Sequence, residues 1–309
     1  MQATEKIWHN GELVDWADAK VHLAAHGLHY GSGVFEGIRA YETADGPAVF
    51  RLRDHLDRFG NSARILSMEL PYSREELRSA VLDLVILNGL SECYVRPIAF
   101  YGYGDLGVAP GENPIDVAVI TFPWGAYLGR EAQETGITLK ISTWRRMGSN
   151  SIPHAAKATG IYVNSMLAAL EARRAGYGEA LLLTEDGFVA DGPTVNIFAV
   201  KGGRLTTPAL SASILPGITR DTVLQVAEAL GYEAREQPLI RTDLYIADEL
   251  FVTGTAAEIT PVRAIDDVEV PAPGPATAAI QFEYAEIVHG RRKRWSHFLD
   301  YAVGAARDS

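Results

Sequence analysis

Residues 151–162 read SIPHAAKATGIY and place Lys157 among alanine, glycine and isoleucine, with no acidic residue beside it. Lysine usually stays exposed, because removing its ammonium group from water is costly. One interpretation is that the stem of Lys157 lies on apolar surface while its amine remains in solvent. The other is that burial holds the amine deprotonated, as a nucleophile. From this stretch alone, the first interpretation is favoured.

Two loops of small residues are candidates for binding an anion. In LPGITRD, residues 215–221, a loop ending at Gly217 leads into a predicted helix. The first N–H groups of that helix, at Ile218 and Thr219, would have no carbonyl partner within the helix and could therefore donate to a bound anion. In VTGTAAE, residues 252–258, small side chains allow close backbone approach and Thr255 offers a hydroxyl donor. Each pattern fits an ordinary turn equally well.

Two further side chains complete a set. Arg58 lies off the apolar stripe of a predicted helix, and Asp191 stands between a predicted strand and a Gly-Pro turn. An amine, two anion sites, an arginine and an isolated acid can together hold an aromatic aldehyde phosphate, with the lysine as its Schiff base. The combination therefore favours a cofactor of this chemical class.

Local patterns predict a mixture of helices and strands. The first half of the chain has a hairpin signal at Asn10-Gly11 and an apolar helical stripe from Leu52 to Leu66. A second helix is predicted from the Ser73 cap to Asn88-Gly89. A strand follows that has Tyr94, Arg96, Ile98 and Phe100 on one face. The second half has paired strands around Asp186-Gly187 and Gly202-Gly203, a helix from Gly217 to Gly231, a strand that runs into the 252–258 loop, and a helical tail from Pro275 to about Tyr301.

These elements predict an α+β fold in two domains, because the strands and helices do not alternate strictly as βαβ units. The Gly- and Pro-rich stretch that begins at Pro123 interrupts the pattern. We expect a small domain over residues 1–122, an interdomain loop over 123–134, and a large domain over 135–309 that carries Lys157.

The composition excludes several classes of protein. The 309 residues carry a net charge of −11 without a long basic tract, so nucleic acid is not expected as a partner. No apolar run is long enough to span a membrane, and no secretory signal is expected from the acidic N-terminus. A single cysteine, Cys93, argues against a disulfide framework, which fits the cytoplasm.

Two other motifs carry little functional information. His22, His26 and His29 suggest a metal site, but no carboxylate or cysteine follows at a matching interval, so we expect no metal ligands. GSGVFEG, residues 31–37, has neither the spacing nor the lysine of a nucleotide-binding loop. We predict instead a tight turn that brings Phe35 and Gly37 against a bound molecule.

The chain resembles the fold-type IV enzymes that use pyridoxal 5'-phosphate (PLP) as cofactor, with the fold of D-amino acid aminotransferase. Among them it resembles the branched-chain amino acid aminotransferases. The resemblance extends over nearly the whole sequence, through motifs in the family's order. These are HYGSGVFEGIRAY, RDHLDRFGNSA, YVRP, FPWGAYLG, IPHAAKATGIY, EARRAGYGEALLL, LPGITRD and GTAAEITPV. It implies transamination of leucine, isoleucine and valine with 2-oxoglutarate, giving 2-keto acids and L-glutamate. It also implies a homodimer or larger homo-oligomer with sites at the subunit interface.

The resemblance also implies a role for each candidate residue. Lys157 would be the catalytic residue and form the Schiff base with the cofactor. The other cofactor-binding residues would be Arg58, Tyr162, Asp191, Ile218, Thr219 and Thr255. Substrate would be bound by Phe35, Gly37, Tyr94, Arg96, Trp124, Tyr127 and Ala256, with Tyr30 and Val108 reaching in from a neighbouring subunit.

This sequence departs from the family's pattern at three positions. Asp191 stands where the family has glutamate, Val195 replaces a residue that is commonly polar, and Ile161 replaces a small or polar neighbour of Tyr162. A shorter acid lengthens the contact to the cofactor or requires a backbone shift. Alternatives therefore remain open: a D-amino acid or (R)-amine transaminase, an aminodeoxychorismate lyase, or a PLP-binding protein with weak catalysis.

Overall fold

The structure is a computed structural model that describes residues 2–124 and 129–302. It is an α+β fold, as predicted from the sequence. In chain order the elements are β1 (Lys6–His9), β2 (Glu12–Asp15), α1 (His26–Tyr30), β3 (Gly33–Phe35), β4 (Ile38–Thr43), β5 (Gly46–Phe50), α2 (Leu52–Ile65), α3 (Arg74–Leu87), β6 (Cys93–Tyr101), β7 (Ile115–Phe122), α4 (Arg130–Thr135), β8 (Ile137–Arg145), α5 (Tyr162–Arg174), β9 (Glu179–Leu183), β10 (Asn196–Lys201), β11 (Arg204–Thr207), α6 (Ile218–Ala229), β12 (Glu233–Glu236), α7 (Arg241–Tyr245), β13 (Glu249–Gly254), β14 (Glu258–Ile265), β15 (Val268–Glu269), α8 (Pro275–Val288) and β16 (Leu299–Tyr301).

The chain divides into two compact units. The first contains the described residues of Met1–Gly125, Ala156–Gly160 and Glu286–Ser309, and the second those of Ala126–Ala155 and Ile161–Ala285. The expected domain bounds differ from these units in two places. The chain end groups with the first unit because β16 pairs with β5. The segment that carries Lys157 groups with it too, because Ala158 bridges to Val34 in β3.

The first unit is built on an antiparallel sheet with the order β16-β5-β4-β6-β7-β1-β2, in which β3 also pairs with β6. The predicted hairpin at its edge is confirmed: Asn10 and Gly11 both have positive φ, 47° and 90°, as a two-residue turn of this kind requires. The predicted Ser73 cap of α3 is confirmed as well. It is part of a capping box, because the Ser73 side chain accepts from the Glu76 amide and the Glu76 side chain accepts from the Ser73 amide.

Strand β6 gives the sheet of the first unit two different faces. Val95 and Ala99 are fully buried, whereas Arg96, Ile98 and Phe100 alternate with buried residues and are half-buried. This alternation was predicted from the period of two along a strand. Arg96 is thereby presented on a partly open, largely apolar face.

The second unit is built on a mixed sheet with the order β12-β11-β10-β13-β14-β8-β9, and β15 pairs with β14. Its core is aliphatic: Leu139, Leu181, Ile197, Val252 and Val262 are all fully buried within one cluster. Helix α5 packs against β8 and β9, and α6 packs against β12 and β13. The Gly202-Gly203 turn joins β10 to β11 with positive φ at both glycines, as predicted.

Three sequence predictions for the second half of the chain are wrong in part. The run after Asp186-Gly187 forms only isolated bridges, from Val189 to Leu183 and from Phe188 to Ile240. The loop after Gly254 is short and leads directly into another strand, β14. The tail is helical only to Val288 and then forms a 3-10 turn and β16.

Candidate active site

The backbone around Lys157 is fastened to the first unit on both sides. The Phe35 amide donates to the Lys157 carbonyl at 3.0 Å, and the Lys157 amide donates to Ser62 Oγ at 3.0 Å. Ser62 is buried in α2 and donates in turn to the Arg58 carbonyl at 2.8 Å. The lysine is thus carried on a main chain whose own hydrogen bonds fix its direction.

The turn before β3 makes this attachment possible. Gly31 has φ of 62°, and a Cβ added there would come within 2.7 Å of the Gly160 Cα. Thr159 Oγ1 donates to the Gly31 carbonyl at 2.7 Å and accepts from the Gly33 amide at 3.1 Å. The glycines of GSGVFEG therefore serve a close approach of two backbone segments, and Phe35 follows directly from that turn.

The Lys157 side chain is half-buried, so the expectation of a buried amine is only partly met. Its Nζ lies 5.0 Å from the centroid of the Phe35 ring. The amine therefore lies beside an aromatic face, on a residue that is neither fully buried nor fully exposed.

Arg58 is held by a buried carboxylate that the sequence did not reveal. Its Nε donates to Glu36 Oε1 at 2.7 Å and its Nη2 donates to Glu36 Oε2 at 2.9 Å. Glu36 is completely buried and also accepts from His55 Nδ1 at 2.7 Å and from the Gly37 amide at 3.2 Å. A bidentate pair of this kind fixes the plane of the guanidinium.

The electrostatics of this cluster follow from its burial. Burial by itself raises the pKa of Glu36, but the charges and hydrogen bonds of Arg58 and His55 outweigh it and hold that pKa well below its usual range. Burial lowers the pKa of His55 from its ordinary value, although Glu36 opposes this. Glu36 is therefore an anion that neutralises part of the Arg58 charge.

Five of the predicted substrate residues lie together in the first unit. The Arg96 guanidinium carbon is 4.7 Å from the centroid of the Phe35 ring, and its Nη2 donates to the Tyr94 hydroxyl at 3.2 Å. The rings of Tyr94 and Trp124 are 4.6 Å apart. Gly37 leaves room for the Tyr94 hydroxyl, because a Cβ there would lie 1.9 Å from its oxygen.

Arg96 and Trp124 also line a cavity of about 900 Å³ with largely apolar walls, among them Ile98, Phe100 and Phe122. Arg96 Nε is buried and has no hydrogen-bond partner within the part of the chain that the structure describes. A buried donor without an acceptor is costly, so this nitrogen is suited to a carboxylate that enters the cavity.

The remaining predicted substrate residues of the first unit lie on its surface. Tyr30 is 45% exposed and Val108 is 80% exposed, and the Tyr30 hydroxyl donates to the Leu106 carbonyl at 2.8 Å. Tyr127 lies outside the described residues.

In the second unit Asp191 is buried and paired with an arginine. Arg146 Nε donates to Asp191 Oδ1 at 2.6 Å, and the Leu215 amide donates to Asp191 Oδ2 at 3.3 Å. Val195 is buried, and its carbonyl accepts from the Gly192 amide at 2.7 Å, which closes a tight turn directly after the acid. An anionic oxygen acceptor is thus fixed at the end of this turn.

The two small-residue loops both lie beside that turn. Gly217 is the N-cap of α6, and a Cβ there would lie 2.0 Å from Asn196 Oδ1, so a larger residue would require the Asn196 side chain to move. A Cβ on Gly254, which precedes Thr255 and Ala256, would lie 3.0 Å from the Thr194 carbonyl. The second unit therefore brings Asp191, the start of α6 at Ile218 and Thr219, and the 254–256 turn into one region.

Tyr162 begins α5 and is half-buried. Asn164 and Ser165, in the first turn of the same helix, accept hydrogen bonds from Arg146 Nη1 at 3.1 Å and 3.0 Å. The helix start that carries Tyr162 is therefore tied to the Arg146–Asp191 pair.

Comparison with known proteins assigns the family. The family described as "Amino-transferase class IV" matches residues 33–265, which include Lys157, Arg58 and Asp191. The chain belongs to the class IV aminotransferases. It is 47% identical over 297 residues to the branched-chain-amino-acid aminotransferase of Escherichia coli K12, a match that covers 95% of this chain and 96% of that protein. The resemblance that the motif series indicated is confirmed.

Two solved structures are similar to this class IV aminotransferase. The T.th. branched-chain amino acid aminotransferase with pyridoxamine 5'-phosphate superposes with a TM-score of 0.95 at 47% identity, over 98% of this chain and 100% of that one. The T.th. enzyme complexed with N-(5'-phosphopyridoxyl)-L-glutamate gives a TM-score of 0.93 at 44% identity, with the same coverage. The fold-type IV assignment is therefore confirmed.

The donors and acceptors of this class IV aminotransferase fit PLP. A helix N-terminus with a nearby threonine hydroxyl suits a phosphate dianion, and a buried carboxylate suits the N–H of a protonated ring. A lysine amine and a fixed arginine are available in the first unit. The chemistry of each group therefore matches one part of the cofactor.

Reasoning from the sequence missed four residues of the site: Glu36, His55, Ser62 and Arg146. Glu36 stands between Phe35 and Gly37, His55 stands among charged residues of a predicted helix, and no local spacing pairs them. Arg146 and Asp191 are 45 positions apart. Arg146 follows another arginine, Arg145, so no local pattern distinguishes it from an exposed side chain.

The histidines considered for a metal have ordinary contacts. His26 is buried between Ser32 Oγ and the Gly107 carbonyl, and His29 contacts the Leu23 carbonyl. Among residues 2–124 and 129–302 no group of three or more His, Cys, Asp or Glu side chains is arranged to hold a metal ion. In the same ranges, every helix is too short or too polar to cross a membrane.

Proposed function

We propose that this chain is a PLP-dependent aminotransferase that converts branched-chain L-amino acids to 2-keto acids, with 2-oxoglutarate as the amino acceptor. The observation that carries the proposal is the similarity to branched-chain-amino-acid aminotransferases at 47% identity over 95% of the chain. The neighbouring structures contain pyridoxamine 5'-phosphate and a phosphopyridoxyl glutamate, which supports both the cofactor and glutamate as a product.

The proposed roles at the cofactor are those that the resemblance to the family implies for each residue. In the first unit, Lys157 would bind the aldehyde carbon and Arg58 would bind the phosphate. In the second unit, the phosphate would be bound by the N-terminus of α6, with Ile218 and Thr219, and by Thr255. Helix N-termini favour anions through their N–H groups and their dipole. Tyr162 and Asp191 would bind the ring oxygen and the ring nitrogen.

The chemistry divides between cofactor and protein. Bound PLP supplies a carbonyl that condenses with amines and a ring that accepts electron density. Lys157 Nζ would take the proton from the substrate Cα and deliver it, within the same half-reaction, to the former aldehyde carbon of the cofactor. The second half-reaction would run these proton transfers in reverse. The Lys157 backbone, fixed by Phe35 and Ser62, keeps the amine on one side of the site. Asp191 holds a proton at the ring nitrogen.

Substrate selection is proposed to lie with Arg96 and the apolar cavity. An aliphatic side chain loses its contact with water there, at a gain of about 25 cal/mol per Å² buried. The second carboxylate of glutamate or 2-oxoglutarate would accept from Arg96 Nε, the donor that is otherwise buried without a partner among the described residues. Tyr94 and Ala256 would bind the α-carboxylate, and Trp124 and Tyr127 would close the pocket.

A homodimer or larger homo-oligomer is supported by an exposed apolar patch on the first unit. We define this patch by Leu23, Leu28, Tyr30, Tyr103, Leu106 and Val108, which are 44–80% exposed. Contacts between the two segments, such as Tyr30 to Leu106 and the ring of His22 to that of Tyr103, make it continuous. Exposed apolar patches rimmed by polar groups mark interfaces.

The interface is tested by sedimentation velocity. Val108→Glu should convert the assembly to a smaller species, because a carboxylate in an apolar interface loses its hydration. Ile246→Glu, at a 61% exposed position of the second unit, is the matched control and should leave the assembly unchanged. A wild-type protein that sediments as a monomer would contradict the proposed oligomer.

The reaction itself is tested by absorbance spectroscopy. L-leucine added to the PLP-loaded protein, without 2-oxoglutarate, should shift the cofactor band, and 2-oxoglutarate should restore it. D-alanine and (R)-1-phenylethylamine should leave the band in place. A shift with either of these would favour a related transaminase, and no shift with any amine would favour a PLP-binding protein without efficient catalysis. We place the reaction in the cytoplasm, consistent with a single, buried cysteine.

A further inference from the structure

Arg146 is held at four points although it is almost completely buried. It follows directly after β8 and is 4% exposed. Its Nε donates to Asp191 Oδ1, its Nη1 donates to Asn164 Oδ1 and Ser165 Oγ, and its Nη2 donates to the Gly192 carbonyl at 2.7 Å. The guanidinium therefore has one position and one orientation, set by α5 and by the turn after Asp191.

This arrangement leaves Asp191 with one oxygen for a ligand. Oδ1 is occupied by Arg146 Nε at 2.6 Å. Among residues 2–124 and 129–302, Oδ2 accepts a single long bond, from the Leu215 amide at 3.3 Å, and an ionised carboxylate oxygen can accept two hydrogen bonds. Oδ2 is thus the less engaged of the two oxygens, and its direction is fixed by the short bond of Oδ1 to Arg146.

Arg146 also supplies the counter-charge of Asp191. A buried carboxylate is costly unless it is paired with an opposite charge. Arg146 is a permanent cation and lies within hydrogen-bond distance of the carboxylate. Arg146 therefore allows this carboxylate to lie buried beside the turn.

We propose that Arg146 is the positioning residue of Asp191: it fixes the carboxylate so that Oδ2 accepts a hydrogen bond from the N–H of a protonated aromatic ring. The inference rests on the proposed function, because the ring is that of PLP. On this proposal the ring nitrogen is kept protonated by the Arg146–Asp191 pair, rather than by Asp191 alone.

A purely structural role for Arg146 makes a different prediction. The same four hydrogen bonds tie the end of β8 to α5 and to the 191–195 turn, so their loss would destabilise the second unit. A structural defect of this kind would weaken the binding of every ligand in the region to the same extent. Loss of a positioning residue would weaken only the binding of ligands that contain the ring nitrogen.

The test measures ligand binding to the apoprotein, by quenching of its tryptophan fluorescence, with two probes. One probe is PLP, and the other is the analogue in which a C–H group replaces the ring nitrogen. Arg146→Met should weaken PLP binding roughly 10- to 100-fold, the range for a lost hydrogen bond to a charged group. It should leave binding of the analogue unchanged. Arg146→Lys, which keeps the charge but not the fork, should give an intermediate loss for PLP only.

A double-mutant cycle with Asp191→Asn isolates the coupling. Because Arg146 acts through Asp191, Arg146→Met should cause little further loss of PLP affinity in the Asp191→Asn protein. The control is Arg39→Met, which removes another buried arginine, paired with Glu92 in the first unit. It should lower the melting temperature of the apoprotein and leave both dissociation constants unchanged.

Two results would overturn the inference. One is an equal loss of affinity for PLP and for the analogue in Arg146→Lys or Arg146→Met. The other is an additive cycle. If the Arg146→Met protein does not fold, the Arg146→Lys protein alone shows whether affinity is lost for PLP only or equally for PLP and the analogue. A wild-type protein that binds neither probe would refute the proposed function instead, so the two failures are distinguishable.

Discussion

Glu36 provides a quantitative test of how the first unit places Arg58. The carboxylate is completely buried and accepts two hydrogen bonds from Arg58, one from His55 and one from the Gly37 amide. Glu36→Gln keeps the shape of the side chain, removes its charge, and turns an amide group toward one of these donors. Removing one partner of a buried ion pair costs about 3–5 kcal/mol, because the other charge remains buried without compensation.

The dependence on pH follows from the lowered pKa of Glu36. Since the pKa of the folded state lies below the usual value, the carboxylate stabilises the fold above about pH 4.5, and this stabilisation is lost as the pH falls further. Between that value and the folded pKa, the unfolded chain binds one more proton than the folded chain. The difference between wild type and Glu36→Gln should therefore shrink by about 1.4 kcal/mol per pH unit.

The assay is urea-induced unfolding of the apoprotein, followed by circular dichroism at neutral pH and at several acidic values. Glu75→Gln is the matched control, because Glu75 is 62% exposed and solvent screens its pair with Arg74, at 3.5 Å, so that the pair should contribute little to stability. A loss below about 1 kcal/mol for Glu36→Gln at neutral pH, or a loss that does not change with pH, would refute this account of the cluster.

Three further predictions concern the substrate side of the site and the fold. Arg96→Met should raise KM for glutamate and 2-oxoglutarate by at least about tenfold and leave KM for leucine nearly unchanged, because only the former have a second carboxylate; equal effects in steady-state kinetics would refute its role. Gly37→Ala should displace the Tyr94 hydroxyl, because the added Cβ would overlap with it. The change should lower kcat/KM for all substrates and cost about 1–3 kcal/mol of stability, and normal kinetics would contradict the close contact. Glu249→Gln should lower the melting temperature without changing KM, because Glu249 accepts from the Thr277 amide and hydroxyl at the start of α8; an unchanged melting temperature would show that this cap is dispensable.

The sequence predicted those parts of the fold that short-range chemistry determines. Asn10-Gly11 and Gly202-Gly203 form the expected hairpin turns because few other residues adopt positive φ so readily. The cap of α3 at Ser73 depends on residues three positions apart. The alternation along β6 is sufficient to place Arg96 on the half-buried face of the strand, together with Ile98 and Phe100.

Elements that depend on distant partners were not predicted. Strand β14 follows Gly254 so closely that its pattern merges with the loop, and its existence depends on pairing with β13 and β8. Strand β16 has three residues and exists because β5 offers an edge. Segment 188–190, although strand-like in sequence, has only isolated bridges.

The same limit applies to the candidate site. Lys157, Arg58 and Asp191 stand out because each is a charge in apolar or turn surroundings, and the loops at Gly217 and Gly254 stand out by residue size. Their partners do not stand out, because one carboxylate or arginine among many has no local signature until the fold brings it near. Asp191 is one example, because its hydrogen bond from Arg146 is visible only in the folded structure.

The central claim is that Lys157 is the amine that binds PLP, and borohydride trapping tests it most directly. Reduction of the PLP-loaded protein, digestion and mass spectrometry should locate the phosphopyridoxyl group on Lys157 Nζ. Addition of L-leucine before reduction should remove most of this label, and Lys157→Ala should carry none at that site and show no transamination. A label on another lysine of the wild-type protein, or turnover by Lys157→Ala, would contradict the account.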